Sequence, residues 1–360
     1  MEPDKLSKRF CAQFRTKLLN WSKDNPRPMP WKETKDPYHI WLSEIILQQT
    51  RVQQGWEYFL KFKRTFPSIF DLANASEQEV LAKWQGLGYY SRARNLHATA
   101  RFVAEKFGGI FPDSMDDLLS LKGVGDYTAA AISSFAFDKP EAVVDGNVFR
   151  VFSRLFGVIH PRGSSQGKNI IKRYSEQLLD QNNPAEYNQA LLNFGALHCK
   201  PSNPICGSCP FSKSCFALQE DRVDEFPLKP KKRSRRRRHF NYLVIESKKS
   251  FLMKKRESGD IWQGLFDFPL FESERPKQKK SIIGHFVKQG ILDGAEEIIP
   301  GPRFSQTLTH QTIEARFFLL NSENDRRQIG QELQWIGQAD HQSVGFPKVI
   351  DLFFAETLNP

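Results

Sequence analysis

No apolar run in this chain approaches the ~18–20 residues that a membrane-spanning helix needs, so such a helix is not expected. Cysteine is scarce, with five in 360 residues, too few for a secreted disulfide scaffold. Met1–Phe10 is charged and has no apolar core of the signal-peptide kind. No internal repeat is present. These absences predict a soluble intracellular protein.

What is there is enough to build real cores. Apolar residues make up 39% of the chain and phenylalanine alone supplies 30 positions, which excludes a disordered chain. The length predicts two to three domains. Lys plus Arg number 52 against 41 Asp plus Glu, a net charge of +11. Eight of those cations lie in Lys229–Arg238, so the other 350 residues carry only +3. The charge pattern is a basic tether between two nearly balanced bodies.

From Leu6 to about Gln219 the apolar spacing is helical, notably over Tyr38–Phe62, Glu77–Trp84, Ser91–Phe107, Tyr127–Phe137, Val148–Phe156 and Gln189–Leu197. Glycines at 86, 88, 108, 109, 123, 125 and 146 punctuate these stretches. The first 222 residues are therefore read as an all-helical domain. Residues 223–238 combine prolines with the basic run and read as a linker. Past it, Phe240–Glu246, Phe251–Lys255 and Thr312–Leu320 read as strands. With helical stretches near Ser281–Gln289 and Pro347–Thr357, residues 239–360 form a smaller α+β domain.

Four of the five cysteines, Cys199, Cys206, Cys209 and Cys215, are spaced C-x6-C-x2-C-x5-C. Four thiolates so close in sequence can converge on zinc or an iron–sulfur cluster. The single CxxC pair leans toward the cluster, since structural zinc usually takes two such knuckles. Cys11 stands apart in an amphipathic stretch. Leu121–Ala129 is a Gly-x-Gly turn, Gly123 and Gly125, running into a small-residue helix. That arrangement suits a backbone grip on a phosphate, and equally a tight helix–helix turn.

Two carboxylates draw attention. Glu44 is embedded in Ile40–Leu47, where apolar surroundings raise a carboxyl's pKa and suit it to general acid work; the plainer role is a surface glutamate. Asp145 precedes Gly146-Asn147-Val148 at the start of a helical stretch. It fits an N-cap, whose N–H bonds keep a carboxylate ionised. One protonated and one ionised carboxyl is the pairing that cleaves a glycosidic bond through an oxocarbenium-like state.

Together these motifs resemble the adenine DNA glycosylase (MutY) family of the helix-hairpin-helix superfamily, which also includes endonuclease III. The resemblance rests on Leu42–Thr50, Gly86-Leu87-Gly88-Tyr89-Tyr90, the Gly123/Gly125 hairpin, Val144–Val148 and the cysteine spacing. Ile261–Pro269 looks like the family's C-terminal domain, which is related to MutT-type Nudix folds. The implied architecture is a mostly α glycosylase domain with a [4Fe-4S] cluster on Cys199, Cys206, Cys209 and Cys215, plus a smaller α+β Nudix-like domain. The implied substrate is adenine opposite 8-oxoguanine or guanine in double-stranded DNA, flipped from the stack before cleavage.

By the same resemblance Glu44 protonates the adenine and Asp145 stabilises the positive sugar, with Asn147 in Asp145's motif. Tyr127 stands where endonuclease III has a lysine, so the implied product is an abasic site with the strand uncut. Arg27, Trp31 and Leu47 map to the adenine pocket. Gln49, Leu87 and Tyr89 map to wedge positions, with helix surface or core as their alternative. Leu308-Thr309-His310 replaces the family's Phe-Ser-His, so Thr309 and His310 carry over as 8-oxoguanine readers without the aromatic. No Nudix array of metal-binding carboxylates follows Gly264, so nucleotide hydrolysis is not expected. The rivals are a bifunctional glycosylase/lyase and a noncatalytic DNA-damage binding protein. The protein is expected to act as a monomer, cytoplasmic and nucleoid-associated in a bacterium or nuclear in a eukaryote, without membrane contact.

Overall fold

The computed structural model describes residues 5–229, 234–294, 297–321, 332–338, 340 and 344–357. Two compact units emerge: Met1–Phe70 with Ala98–Lys232, and Asp71–His97 with Arg233–Pro360. The segment 71–97, helical in pattern like the first unit, thus groups with the C-terminal sheet. Among the described residues no helix is long and apolar enough to cross a membrane.

The helices, in chain order, are α1 (Lys8–Asp24), α2 (Pro37–Leu47), α3 (Val52–Thr65), α4 (Ile69–Asn74), α5 (Glu77–Trp84), α6 (Ser91–Lys106), α7 (Met115–Ser120), α8 (Asp126–Phe137), α9 (Gly146–Phe156), α10 (Ser165–Leu178), α11 (Pro184–Leu197) and α12 (Phe216–Gln219). The single stretch expected over Tyr38–Phe62 is two helices. Gln49 takes a left-handed φ of 56°, which no helix accommodates, so α2 ends before it and α3 begins after it.

Local chemistry fixes the helix ends near the two carboxylates. Asp36 caps α2 by accepting from the Tyr38 N–H, with Pro37 at the first position. Asp145 caps α9. One core of this unit joins α1, α9, α10 and α11 through Phe14, Leu18, Phe152, Leu178 and Phe194. Cys199, Cys209 and Cys215 pack against it, and Phe14 stacks on Phe211 of the cysteine loop at 4.5 Å.

The second unit holds β1 (Arg236–Ser247), β2 (Ser250–Lys255), β3 (Phe266–Asp267), β4 (Leu270–Ser273), α13 (Lys279–Lys288), β5 (Ile299–Thr307), β6 (Gln311–Asn321), β7 (Leu333–Gly337) and α14 (Lys348–Thr357). The strands form one mixed sheet ordered β3-β2-β1-β6-β5, with β4 on β1 and β7 on β2. Its centre is the parallel β1–β6 pair, in register from Arg236↔Gln311 to Glu246↔Asn321. Alternation splits β1 between two cores. Phe240, Tyr242 and Val244 pack with Val349, Ile350 and Phe353 of α14, while Leu243 and Ile245 pack with Ile282 and Phe286 of α13.

Of the expected linker, residues 230–233 lie outside the described residues, and Arg236–Arg238 open β1. Arg238 is clamped by Asp260 and Glu272, its Nη2 2.6 Å from a carboxylate oxygen of each.

Candidate active site

Glu44 lies midway along α2, whose residues from Tyr38 to Ile46 are all buried except His39. Its side chain is 8% exposed. Burial pushes the carboxyl up to about 7, a hydrogen bond from Tyr127 pulls it back, and the nearby charge of Asp145 adds to the rise. Tyr127 is the second residue of α8, which packs on α2. Its phenol is held well above 10 by burial and by Glu44 and Asp145, so it remains a neutral donor to Glu44.

Asp145 is bound from three sides. Its Oδ1 accepts the N–H groups of Asn147 at 2.7 Å and Val148 at 2.8 Å, and its Oδ2 accepts Asn147 Nδ2 at 2.6 Å. Burial raises this carboxyl above its ordinary value; the amide donors and the cation of Arg162 work against it. Asn147 is fixed in turn, its Oδ1 accepting from Arg150 Nη2 at 2.9 Å. Arg150 also donates to the carbonyls of Gly195 at 2.7 Å and Cys199 at 2.8 Å. Residue 195 has to be glycine here, because a Cβ would sit 2.6 Å from Asn147 Cβ.

Glu44, Tyr127, Asp145 and Asn147 line one cavity of about 1110 Å³ in the first unit. Arg27, Trp31, Leu47 and Gln49 line it as well. Trp31 is wedged edge-on against Trp56 and Phe59, ring centroids 6.0 and 5.5 Å away, and burial lowers the Arg27 guanidinium from its ordinary value. Sequence reasoning missed Lys32, Arg150, Arg162 and Gln189 on the same wall. Lys32 donates to Arg27 O and Asn193 Oδ1, and burial, then Arg27, brings its ammonium down to about 8. Arg150 lies on the helix that Asp145 caps and Gln189 in a helical stretch; Lys32 and Arg162 arrive from segments with no pattern of their own.

The remaining candidates lie elsewhere. Gly123 (φ 83°) and Gly125, the N-cap of α8, form the exposed turn between α7 and α8. In the second unit Tyr89, left-handed and 47% exposed, meets the Thr309 hydroxyl with its own at 2.8 Å. Leu87, expected as a wedge, is instead buried at 7% exposed and takes the alternative core role. Thr309 and His310 are exposed at the turn joining β5 to β6, and the His310 carbonyl accepts the Arg236 N–H. Leu308, in place of the family aromatic, packs against the Phe-rich core of the sheet.

All four clustered cysteines are free thiols. Burial raises those of Cys206, Cys209 (to about 11) and Cys215, as do charges on their fellow cysteines. Working against this, the amides of Phe211 and Leu218 bond to Cys209 and Cys215, and Arg154 Nη1 lies 3.4 Å from Cys199 Sγ. Among the described residues no group of three or more His, Cys, Asp or Glu side chains is arranged to hold a metal ion. Four cysteine sulfurs, three of them with N–H donors directed at them, are a soft donor set of the kind a metal centre takes.

Comparison with known proteins agrees with this layout. A model of the HhH-GPD superfamily of base excision DNA repair proteins matches residues 42–178, and a NUDIX domain model matches residues 241–356. A thermostable thymine-DNA glycosylase superposes with a TM-score of 0.54 at 29% identity, covering 59% of this chain and 98% of its own. Endonuclease III in a non-covalent DNA complex shares the fold, with a TM-score of 0.51 at 23% identity over 59% of this chain and 97% of its own. Fold and site together define a helix-hairpin-helix base excision repair protein with a Nudix-type second domain.

Among curated relatives, the adenine DNA glycosylase of Buchnera aphidicola (subsp. Schizaphis graminum) is 36% identical over 72% of this chain and 76% of its own length. That of Arabidopsis thaliana is 34% identical over 80% of this chain and 52% of its own. The human enzyme is 39% identical over 57% and 39%. The chain belongs to the adenine DNA glycosylase family.

Proposed function

We propose that this protein excises adenine mispaired with 8-oxoguanine or guanine in duplex DNA by hydrolysing the N-glycosidic bond, and leaves the strand intact. The observation that carries the reading is the pairing of Glu44 and Asp145 in one cavity, the first with a carboxyl near pKa 7 and the second held by three N–H donors. Glu44 is protonated often enough near neutral pH to deliver a proton to the departing adenine. Tyr127 holds that carboxyl in place. Asp145, braced by Asn147, faces the sugar as positive charge develops on it. A phenol at 127 cannot form an iminium with the sugar, so no strand cleavage accompanies base loss.

Arg27, Trp31 and Leu47 are assigned to the pocket of the extruded adenine. The Gly123/Gly125 turn grips a phosphate without reading sequence. Gln49 and Tyr89 enter the gap in the duplex. Thr309 and His310 read the oxidised guanine, and the Tyr89–Thr309 hydrogen bond ties the wedge to the reader. A [4Fe-4S] cluster is assigned to Cys199, Cys206, Cys209 and Cys215, which would hold it and whose loop it would brace. Replacing Cys209 by Ser is expected to lower bound iron and Tm together; full iron content in that variant removes the assignment. The protein acts as a monomer.

A single-turnover assay on A·8-oxoguanine and A·G duplexes, resolved with and without alkali, tests the reaction. Adenine release with cleavage only after alkali is expected. Efficient borohydride trapping of a covalent complex would place the protein among the lyases instead.

A further inference from the structure

Arg162 stands in the segment between α9 and α10, exposed, on the wall of the cavity that holds Glu44 and Asp145. It makes no hydrogen bond or ion pair with any described residue, unlike Arg150 and Arg154, whose donors are used on carbonyls. Its guanidinium lies against the backbone of Gly146, the first residue of α9. A Cβ on Gly146 would fall 2.3 Å from its Nη1, 2.6 Å from its Cζ and 2.9 Å from its Nη2. Gly146 has no positive φ, so the only thing a Cβ there would displace is the end of the Arg162 side chain. The sequence therefore leaves room for an unpaired, five-donor cation one residue from the carboxylate that faces the sugar.

A cation there favours the ionised form of Asp145, yet with no second anion it would also oppose positive charge growing on the sugar. An anion on its outer side cancels that opposition, and the anions attached within a few bonds of a nucleotide's C1′ are its flanking phosphates. We propose that Arg162 is a phosphate-binding residue that grips a backbone phosphate flanking the extruded nucleotide, with Gly146 as the seat that lets its guanidinium lie there. This rests on the glycosylase reading above. Planar guanidinium and phosphate match in bidentate geometry, and the N-terminus of α9 adds a favourable field.

The test is DNA affinity as a function of salt, using a duplex with 2′-fluoro-2′-deoxyadenosine opposite 8-oxoguanine, whose fluorine suppresses cleavage. Over about 50 to 200 mM salt, Arg162→Gln is expected to flatten the slope of log K against log[salt] by about 0.9, the value for one phosphate. Arg162→Lys keeps the slope. Gly146→Ala, which evicts the guanidinium without removing its charge, flattens it equally, and adding Arg162→Gln to it changes nothing further. An unchanged slope in Arg162→Gln overturns the proposal. So does a slowed release with an unchanged slope, which makes Arg162 only a charge that keeps Asp145 ionised. Wild-type protein that binds the duplex but frees no adenine sinks the glycosylase reading instead, and the slope comparison still stands on binding alone.

Discussion

Glu44 carries an energetic conflict at the heart of the first unit. Its carboxylate is more stable in water than among Trp41, Leu42, Ile45 and Ile46 of α2, and the conflict is resolved by keeping the proton. The unfolded chain releases that proton above about 4.5, the folded one only above about 7. Between those values rising pH favours the unfolded state, at a cost of up to about 3 kcal/mol above pH 7. Glu44→Gln is therefore expected to raise Tm by a few degrees at pH 8, with a smaller gain at pH 5, while adenine release falls roughly 10²–10⁴-fold. A variant that melts lower at pH 8 contradicts this account of the burial. Tyr127→Phe removes the hydrogen bond that lowers the Glu44 pKa. The alkaline limb of its pH–rate profile should move to higher pH, and a limb that stays put would show that Glu44 does not govern it.

At the scale of elements, catalytic geometry depends on how closely two helices approach. α11 brings Gly195 against the first turn of α9, leaving 2.6 Å between a notional Cβ and Asn147 Cβ and 3.1 Å to the Asn147 backbone. Because the obstacle includes main chain, Gly195→Ala cannot be absorbed by a rotamer change. It is expected to cost about 1–3 kcal/mol and, by tilting the Asn147 brace on Asp145, to slow adenine release. Thermal melts and single-turnover rates on the same preparation check both effects; loss of stability with an unaltered rate would separate Asn147 from the chemistry. The helix pattern was legible because periodicity is local, as for α5 over Glu77–Trp84. The break at Gln49 was not, because nothing in a run of apolar and amide side chains announces a left-handed φ. Short strands such as β3, with two residues, also carry too few positions to show alternation.

For the whole molecule, buried acids set the response to pH. Besides Glu44 in the first unit, Asp351 on α14 of the second is raised to about 7 by burial, against the pull of the Gln85 hydrogen bond and of Lys348. Both groups bind protons more tightly folded than unfolded, so global stability should decline from about pH 5.5 to 8. Melting curves across that range test it, and a Tm that climbs with pH would mean that these carboxyls are ionised in the fold. The lowered carboxyls Asp113 and Asp260 act in the opposite sense, losing their contribution only as pH falls through the more acidic range.

The sequence by itself determined the helical body, the sheet-bearing second unit, the cap of α9 and, by motif, Glu44, Tyr127 and Asp145 of the cavity, because each is written in neighbouring side chains. Only the tertiary structure decided that Tyr127 donates to Glu44, that Arg150 reaches Asn147, that Arg162 rests on Gly146, and that 71–97 folds with the C-terminal sheet. Those outcomes depend on which surfaces exclude water against which others, and the energy of that choice belongs to pairs of segments far apart in the chain.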